Sequence, residues 1–133
     1  MANYKRMILN ADGSCSGNPG PASYAVVVRE HNVGIVDSFR KDIGDGTSNI
    51  AEWHGCIAAL AYAIEHELMD VELRMDSLLV VMQLIGQWKV KTPHLAPLRD
   101  TAQRKMRILK GRDARVRVQW VRRERNKEAD ALA

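Results

Sequence analysis

Apolar positions recur along this chain with a period that switches between two and about three and a half, and each switch marks a boundary between strand and helix. Lys5 to Asp12 carries the run Met7-Ile8-Leu9 and reads as a first strand ending on an acid. Ser23 to Arg29, rich in β-branched residues, is a second strand. Val33 to Lys41 is a third across the turn Glu30-His31-Asn32, so an antiparallel meander opens the chain and Gly44-Asp45-Gly46 closes it. A helical period follows at Ile50, Trp53, Ile57, Leu60, Ile64 and Leu68, with Thr47, Ser48 or Asn49 as its cap and Glu52 in its first turn. Val71 to Asp76 alternates as a fourth strand, again ending on an acid. Ser77 then caps a short apolar helix, Leu78 to Ile85, stopped by Gly86. Beyond a loop with Trp88, Pro93 and His94, the positions Leu95, Leu98, Ala102, Met106 and Leu109 mark one face of a helix ended by Gly111, whose other face is basic. Arg115 to Val121 is a fifth strand with Val116, Val118 and Trp120 on one side. Asn126 to Ala133 begins a last helix of about two turns, which is marginal unless it docks.

Three strands in a meander followed by two helix-connected strands predict an α/β fold with a mixed five-stranded sheet. Right-handed crossovers set strand four beside strand one and strand five beyond it, giving the order 3-2-1-4-5 flanked by helices. The 133 residues suit one domain spanning 1–133, and 46% hydrophobic residues suffice for its core. No apolar run reaches the roughly 18 residues of a membrane span, and the start lacks a basic-then-apolar leader, so a cytoplasmic protein off the membrane is expected. Cys15 and Cys56 have neither a disulfide nor a zinc pattern and are expected to be free thiols. We expect a monomer.

Charge changes the picture by region. Residues 99–127 hold 12 Lys/Arg against 3 Asp/Glu, a balance of +9, which leaves −5 for the remainder of a chain whose net charge is +4. A basic tract beside an acidic remainder fits a phosphate-bearing partner held near carboxylates, or else a solvated helix face.

The acids themselves converge in the expected topology. Asp12 and Asp76 fall at the carboxyl ends of parallel neighbours about 4.8 Å apart, the place where open α/β sheets bind ligands. Glu52 and Asp130 start helices that pack there. An ionised Asp on a buried strand costs several kcal/mol unless cations or donors compensate it, which makes Asp12 a candidate metal ligand. Glu52 also reads as half of a capping box with Asn49, and Asp76 as an acid favouring a helix N-terminus. The glycines and short polar residues of the loop after Asp12 allow close approach of a ligand.

Four segments carry a resemblance across nearly the whole chain: Asp12-Gly13-Ser14-Cys15-Ser16-Gly17-Asn18-Pro19-Gly20-Pro21, Thr47-Ser48-Asn49-Ile50-Ala51-Glu52, Met75-Asp76-Ser77, and Asn126-Lys127-Glu128-Ala129-Asp130-Ala131-Leu132-Ala133. In content and order they resemble the ribonuclease H family, type 1, in a short form without the basic protrusion. The resemblance implies an endoribonuclease that hydrolyses the RNA strand of RNA/DNA hybrids with two divalent ions and leaves 5′-phosphate and 3′-hydroxyl ends. It implies Asp12, Glu52, Asp76 and Asp130 as catalytic metal ligands. Mg²⁺ is the natural ion for such oxygen donors, with Mn²⁺ able to substitute. It further implies that Cys15, Asn18, Ser48 and Asn49 line the hybrid's minor groove and that Thr47 touches the DNA phosphate. Many relatives carry a His in the loop before the last helix. Here that loop is Arg122-Arg123-Glu124-Arg125, which makes Glu124 a candidate catalytic residue, or one member of a surface ion pair. A non-catalytic hybrid-binding module and a DNA-cutting nuclease are the competing classes.

Overall fold

The alternation of apolar residues decides which side of each strand is buried. In the computed structural model, which describes residues 4–133, Met7, Leu9 and Ala11 of β1 (Arg6–Cys15) face a core shared with Val26 and Val28 of β2 (Gly20–Glu30) and with Val71, Leu73 and Met75 of β4 (Asp70–Met75). β3 (Gly34–Gly46) and β5 (Arg115–Trp120) form the edges, so the order is β3-β2-β1-β4-β5, with β1–β2 and β2–β3 antiparallel and β1–β4 and β4–β5 parallel. This is the expected sheet.

Helices α1 (Ser48–Glu65), α2 (Leu78–Leu84) and α3 (Ala96–Gly111) belong to the same core through Trp53, Leu60, Val80, Leu84, Ala102 and Leu109. Helix α4 (Lys127–Leu132) packs instead on β1 and β2 beside Asn10, whose position in β1 is of opposite parity to Leu9 and Ala11. Among the described residues no helix is long and apolar enough to cross a membrane. Both cysteines are free thiols.

Two strand boundaries differ from expectation, and at the start of α1 one of the three expected caps is used; each shapes the site. β1 does not end at Asp12. Its Gly/Ser segment continues the hairpin with Ser14 opposite Ser23 and Cys15 opposite Ala22, so Asp12 sits within the strand, opposite Ala25. β3 runs on to Gly46 because it keeps pairing with that extended hairpin. The cap of α1 is Thr47, whose hydroxyl accepts from the Ile50 amide at 3.3 Å; Asn49 therefore lies inside the helix and Glu52 beyond its first turn.

Two glycines set how closely α1 approaches β1. A Cβ on Gly13 would come within 2.2 Å of the Glu52 nitrogen, and one on Gly55 within 3.0 Å of the Asp12 carbonyl oxygen. Only the missing side chains let the helix backbone rest on the strand at Asp12. That contact brings Glu52 and Asp12 together.

Candidate active site

Asp12, Glu52 and Asp76 each offer a carboxylate oxygen within 4.8 Å of the others. Three different elements supply them. Asp12 comes from β1, Glu52 from the start of α1, and Asp76 from the residue after β4, where Ala11 pairs with Met75 in parallel register. The capping-box alternative for Glu52 is overturned by the Thr47 cap, which leaves the Glu52 carboxylate free for the cluster. Asp130 on α4 is exposed and lies outside that tight trio, but near enough to Asp12 to raise its carboxyl.

The electrostatics follow from burial without compensation. Asp12 is 5% exposed, and its carboxyl is pushed up to about 8, first by burial, then by the neighbouring Asp130 carboxyl and by the negative charges of Asp76 and Asp130; the Gly13 amide offsets only part of this. Asp12 Oδ2 is buried with no hydrogen-bond partner among the described residues. Glu52 is raised too, by burial and by Asp76, against a hydrogen bond from Ser77 and the positive charge of Arg123. None of the four acids forms an ion pair among the described residues. Clustered hard oxygen donors, one of them orphaned in the interior, fit a divalent cation that prefers oxygen.

Beside the acids, the Asn18 Oδ1 accepts from the Ser48 amide at 3.1 Å and ties the loop after β1 to the start of α1. A cavity of about 260 Å³ is lined there by Asn18, Thr47, Ser48, Asn49, Thr92 and His94. The expected contact residues Asn18, Thr47, Ser48 and Asn49 are thus gathered on one wall. Cys15 sits at the edge of the same region, its thiol donating to the Gly46 carbonyl at 3.1 Å.

Other features were not read from the sequence. Trp88, in the loop after α2, is 44% exposed and lines a groove of about 490 Å³ with Asn49, Gln83, Gln87, Lys89 and Lys91, whereas Trp53 is buried in the core. The signal was present, since a Trp between a helix-stopping Gly86 and two lysines has little to pack against. Trp120 is also exposed, and its indole donates to the Asp76 carbonyl at 3.0 Å. Asn10 and Asn126 are fully buried next to the acids; a lone Asn in the apolar strand Met7–Ala11 was the clue. Glu124 lies exposed in a 3₁₀ turn, Arg123–Arg125, and makes no ion pair among the described residues. In that loop it is the Arg123 charge that acts on Glu52.

Residues 10–133 match the family model described as "Reverse transcriptase-like". The chain is 41% identical over 130 residues to the bifunctional protein Rv2228c of Mycobacterium tuberculosis, covering 96% of this chain but 34% of that protein. The N-terminal RNase H domain of that protein, solved as a fusion with maltose-binding protein, superposes with a TM-score of 0.86 at 39% identity over 97% of this chain and 91% of that one. Ribonuclease HI of Halobacterium salinarum is 41% identical over 122 residues, 92% of this chain and 59% of that protein. LC11-RNase H1, solved in complex with an RNA/DNA hybrid, superposes with a TM-score of 0.82 at 33% identity over 96% of this chain and 93% of that one. The chain thus spans about a third of the mycobacterial relative and under two thirds of the haloarchaeal one.

Proposed function

The chain belongs to the ribonuclease H family, and from that premise we propose that residues 1–133 act as one domain that hydrolyses the RNA strand of RNA/DNA hybrids in a divalent-cation-dependent reaction. The observation that carries this reading is the meeting of Asp12, Glu52 and Asp76 within 4.8 Å, with no protein cation paired to them among the described residues. Asp12, Glu52, Asp76 and Asp130 would hold two Mg²⁺ ions, or Mn²⁺ in their place. When bound, these ions supply activation of the attacking water and neutralisation of charge at phosphorus. Water adds to phosphorus, the bond to the 3′ oxygen breaks, and the products carry 5′-phosphate and 3′-hydroxyl ends.

Discrimination falls to the wall beside the acids. Short donors and acceptors on Cys15, Asn18, Ser48 and Asn49 are suited to testing for the 2′-OH that separates RNA from DNA. The Thr47 hydroxyl spends its acceptor on the helix cap, which leaves its proton for a DNA phosphate. The groove of Trp88, Lys89 and Lys91 begins at Asn49 and offers an indole face and two ammonium groups to the same DNA strand. To Glu124, exposed in the turn Arg123–Arg125, we assign a proton relay during product release.

The test is one gel with end-labelled RNA/DNA, duplex DNA and single-stranded RNA, each with Mg²⁺ and with chelator. Cleavage of only the RNA strand of the hybrid, and only with Mg²⁺, is expected. Equal cutting of duplex DNA would make this a DNA nuclease. Binding without cutting would make it a hybrid-binding module.

A further inference from the structure

An Asn at the start of a helix ordinarily turns its side chain back to accept from an amide of the first turn. Asn126 is the cap of α4 and makes no such bond. Its side chain, 0% exposed, is spent entirely on other elements. The Nδ2 donates to the Ala11 carbonyl at 3.0 Å and to Asp76 Oδ2 at 3.3 Å, while Oδ1 accepts from Asn10 Nδ2 at 2.9 Å. Its own carbonyl accepts from the Asp130 amide at 2.9 Å. One residue therefore touches the strand position before Asp12, the Asp76 carboxylate itself, and the backbone of Asp130.

The orientation of that amide is dictated from outside. Arg29 donates to Asn10 Oδ1 at 2.6 Å, so the only face Asn10 can turn to Asn126 is its NH₂. Asn126 must then present its oxygen to Asn10 and its own NH₂ to Ala11 and Asp76. Arg29 is in turn held by Glu128 of α4 at 2.8 Å, which closes the circuit on the helix where it began. A six-residue helix has little stability of its own, and this circuit supplies what its length does not.

We propose that Asn126 is a positioning residue for the cation site, with Asn10 and Arg29 setting its orientation: it aims the Asp76 carboxylate and anchors on β1 the start of α4, the helix that carries Asp130, so that both acids are in place before any cation or hybrid arrives. This rests on the functional reading above only for the identity of the site.

The experiment compares wild type with Asn126→Ala, Arg29→Ala and Ala131→Gly, the last an exposed change that loosens α4 without touching the circuit. Mn²⁺ affinity is measured by calorimetry without nucleic acid, exchange of the Asp130 amide by hydrogen exchange, and kcat and KM on the hybrid. Asn126→Ala is expected to weaken Mn²⁺ binding by about 10–100-fold, speed Asp130 exchange, and lower kcat with KM within about twofold. Arg29→Ala should shift all three the same way by less, and it carries the test if Asn126→Ala does not fold. Unchanged Mn²⁺ affinity in Asn126→Ala, or an equal loss in Ala131→Gly, would overturn the proposal and leave Asn126 a helix anchor. Wild type that binds Mn²⁺ but cuts no hybrid would sink the functional reading and not this one; wild type that binds no Mn²⁺ would sink both.

Discussion

Asp12 and Glu72 are equally buried carboxylates, each 5% exposed, on neighbouring parallel strands, and the protein treats them in opposite ways. Glu72 lies between Arg6, at 3.2 Å, and Arg74. Burial alone would raise it, but the two guanidiniums outweigh burial and hold it below the usual carboxylate range. Asp12 has acids where Glu72 has arginines, and is pushed up to about 8. A fold able to compensate one buried acid has left the other uncompensated a few residues away. That contrast is what the proposed cation site requires, since no Lys or Arg pairs with Asp12 among the described residues.

The largest expected effect separates the two acids by activity. Asp12→Asn, Glu52→Gln and Asp76→Asn should each lower kcat on the hybrid by about a thousandfold or more, while Glu72→Gln should leave kcat within about twofold. Comparable losses at Glu72 would erase the distinction. Stability should run the other way. Glu72→Gln strands two half-exposed arginines and should cost about 1–2 kcal/mol in urea unfolding, whereas Asp12→Asn should stabilise the metal-free protein.

The contrast also explains what could be read in advance. Sheet order and the meeting of Asp12, Glu52 and Asp76 were legible because strand alternation, helical period and motif spacing are local signals, visible in Met7–Ala11, in Ile50–Leu68 and in the residues around each acid. The extension of β1 through Cys15 was not legible, because its glycines and serines look like a loop until Ala22 and Ser23 pair with them. Nor was the Thr47 cap, since Thr47, Ser48 and Asn49 are all good caps and the choice depends on where α1 meets Gly13. The Arg29–Asn10–Asn126 circuit joins residues up to 116 apart, and no local pattern announces it.

Smaller effects sharpen the picture at the rim. Helix α3 exposes Arg104 and Arg107 beside the half-exposed Lys105. If this face lies along phosphates, neutralising all three should reduce the slope of log affinity for the hybrid against log salt by about two to three, and an unchanged slope would make it a solvated face. Glu124→Gln, lying outside the trio, should lower multiple-turnover rates by about tenfold at most and leave single-turnover rates nearly unchanged. A loss in both would move Glu124 into the chemistry.

The most direct test of the uncompensated charge is the pH dependence of Tm for wild type and Asp12→Asn, with and without Mg²⁺. Because the folded Asp12 carboxyl is raised from its ordinary 3.8 to about 8, the folded state holds the proton more tightly than the unfolded chain. Stability present below pH 3.8 is therefore lost progressively as pH climbs to about 8. Without metal, wild type should lose Tm relative to Asp12→Asn from pH 5 to 8, by about 5 °C at the upper end, and Mg²⁺ should restore it in wild type alone. Parallel curves for the two proteins, indifferent to Mg²⁺, would contradict the account.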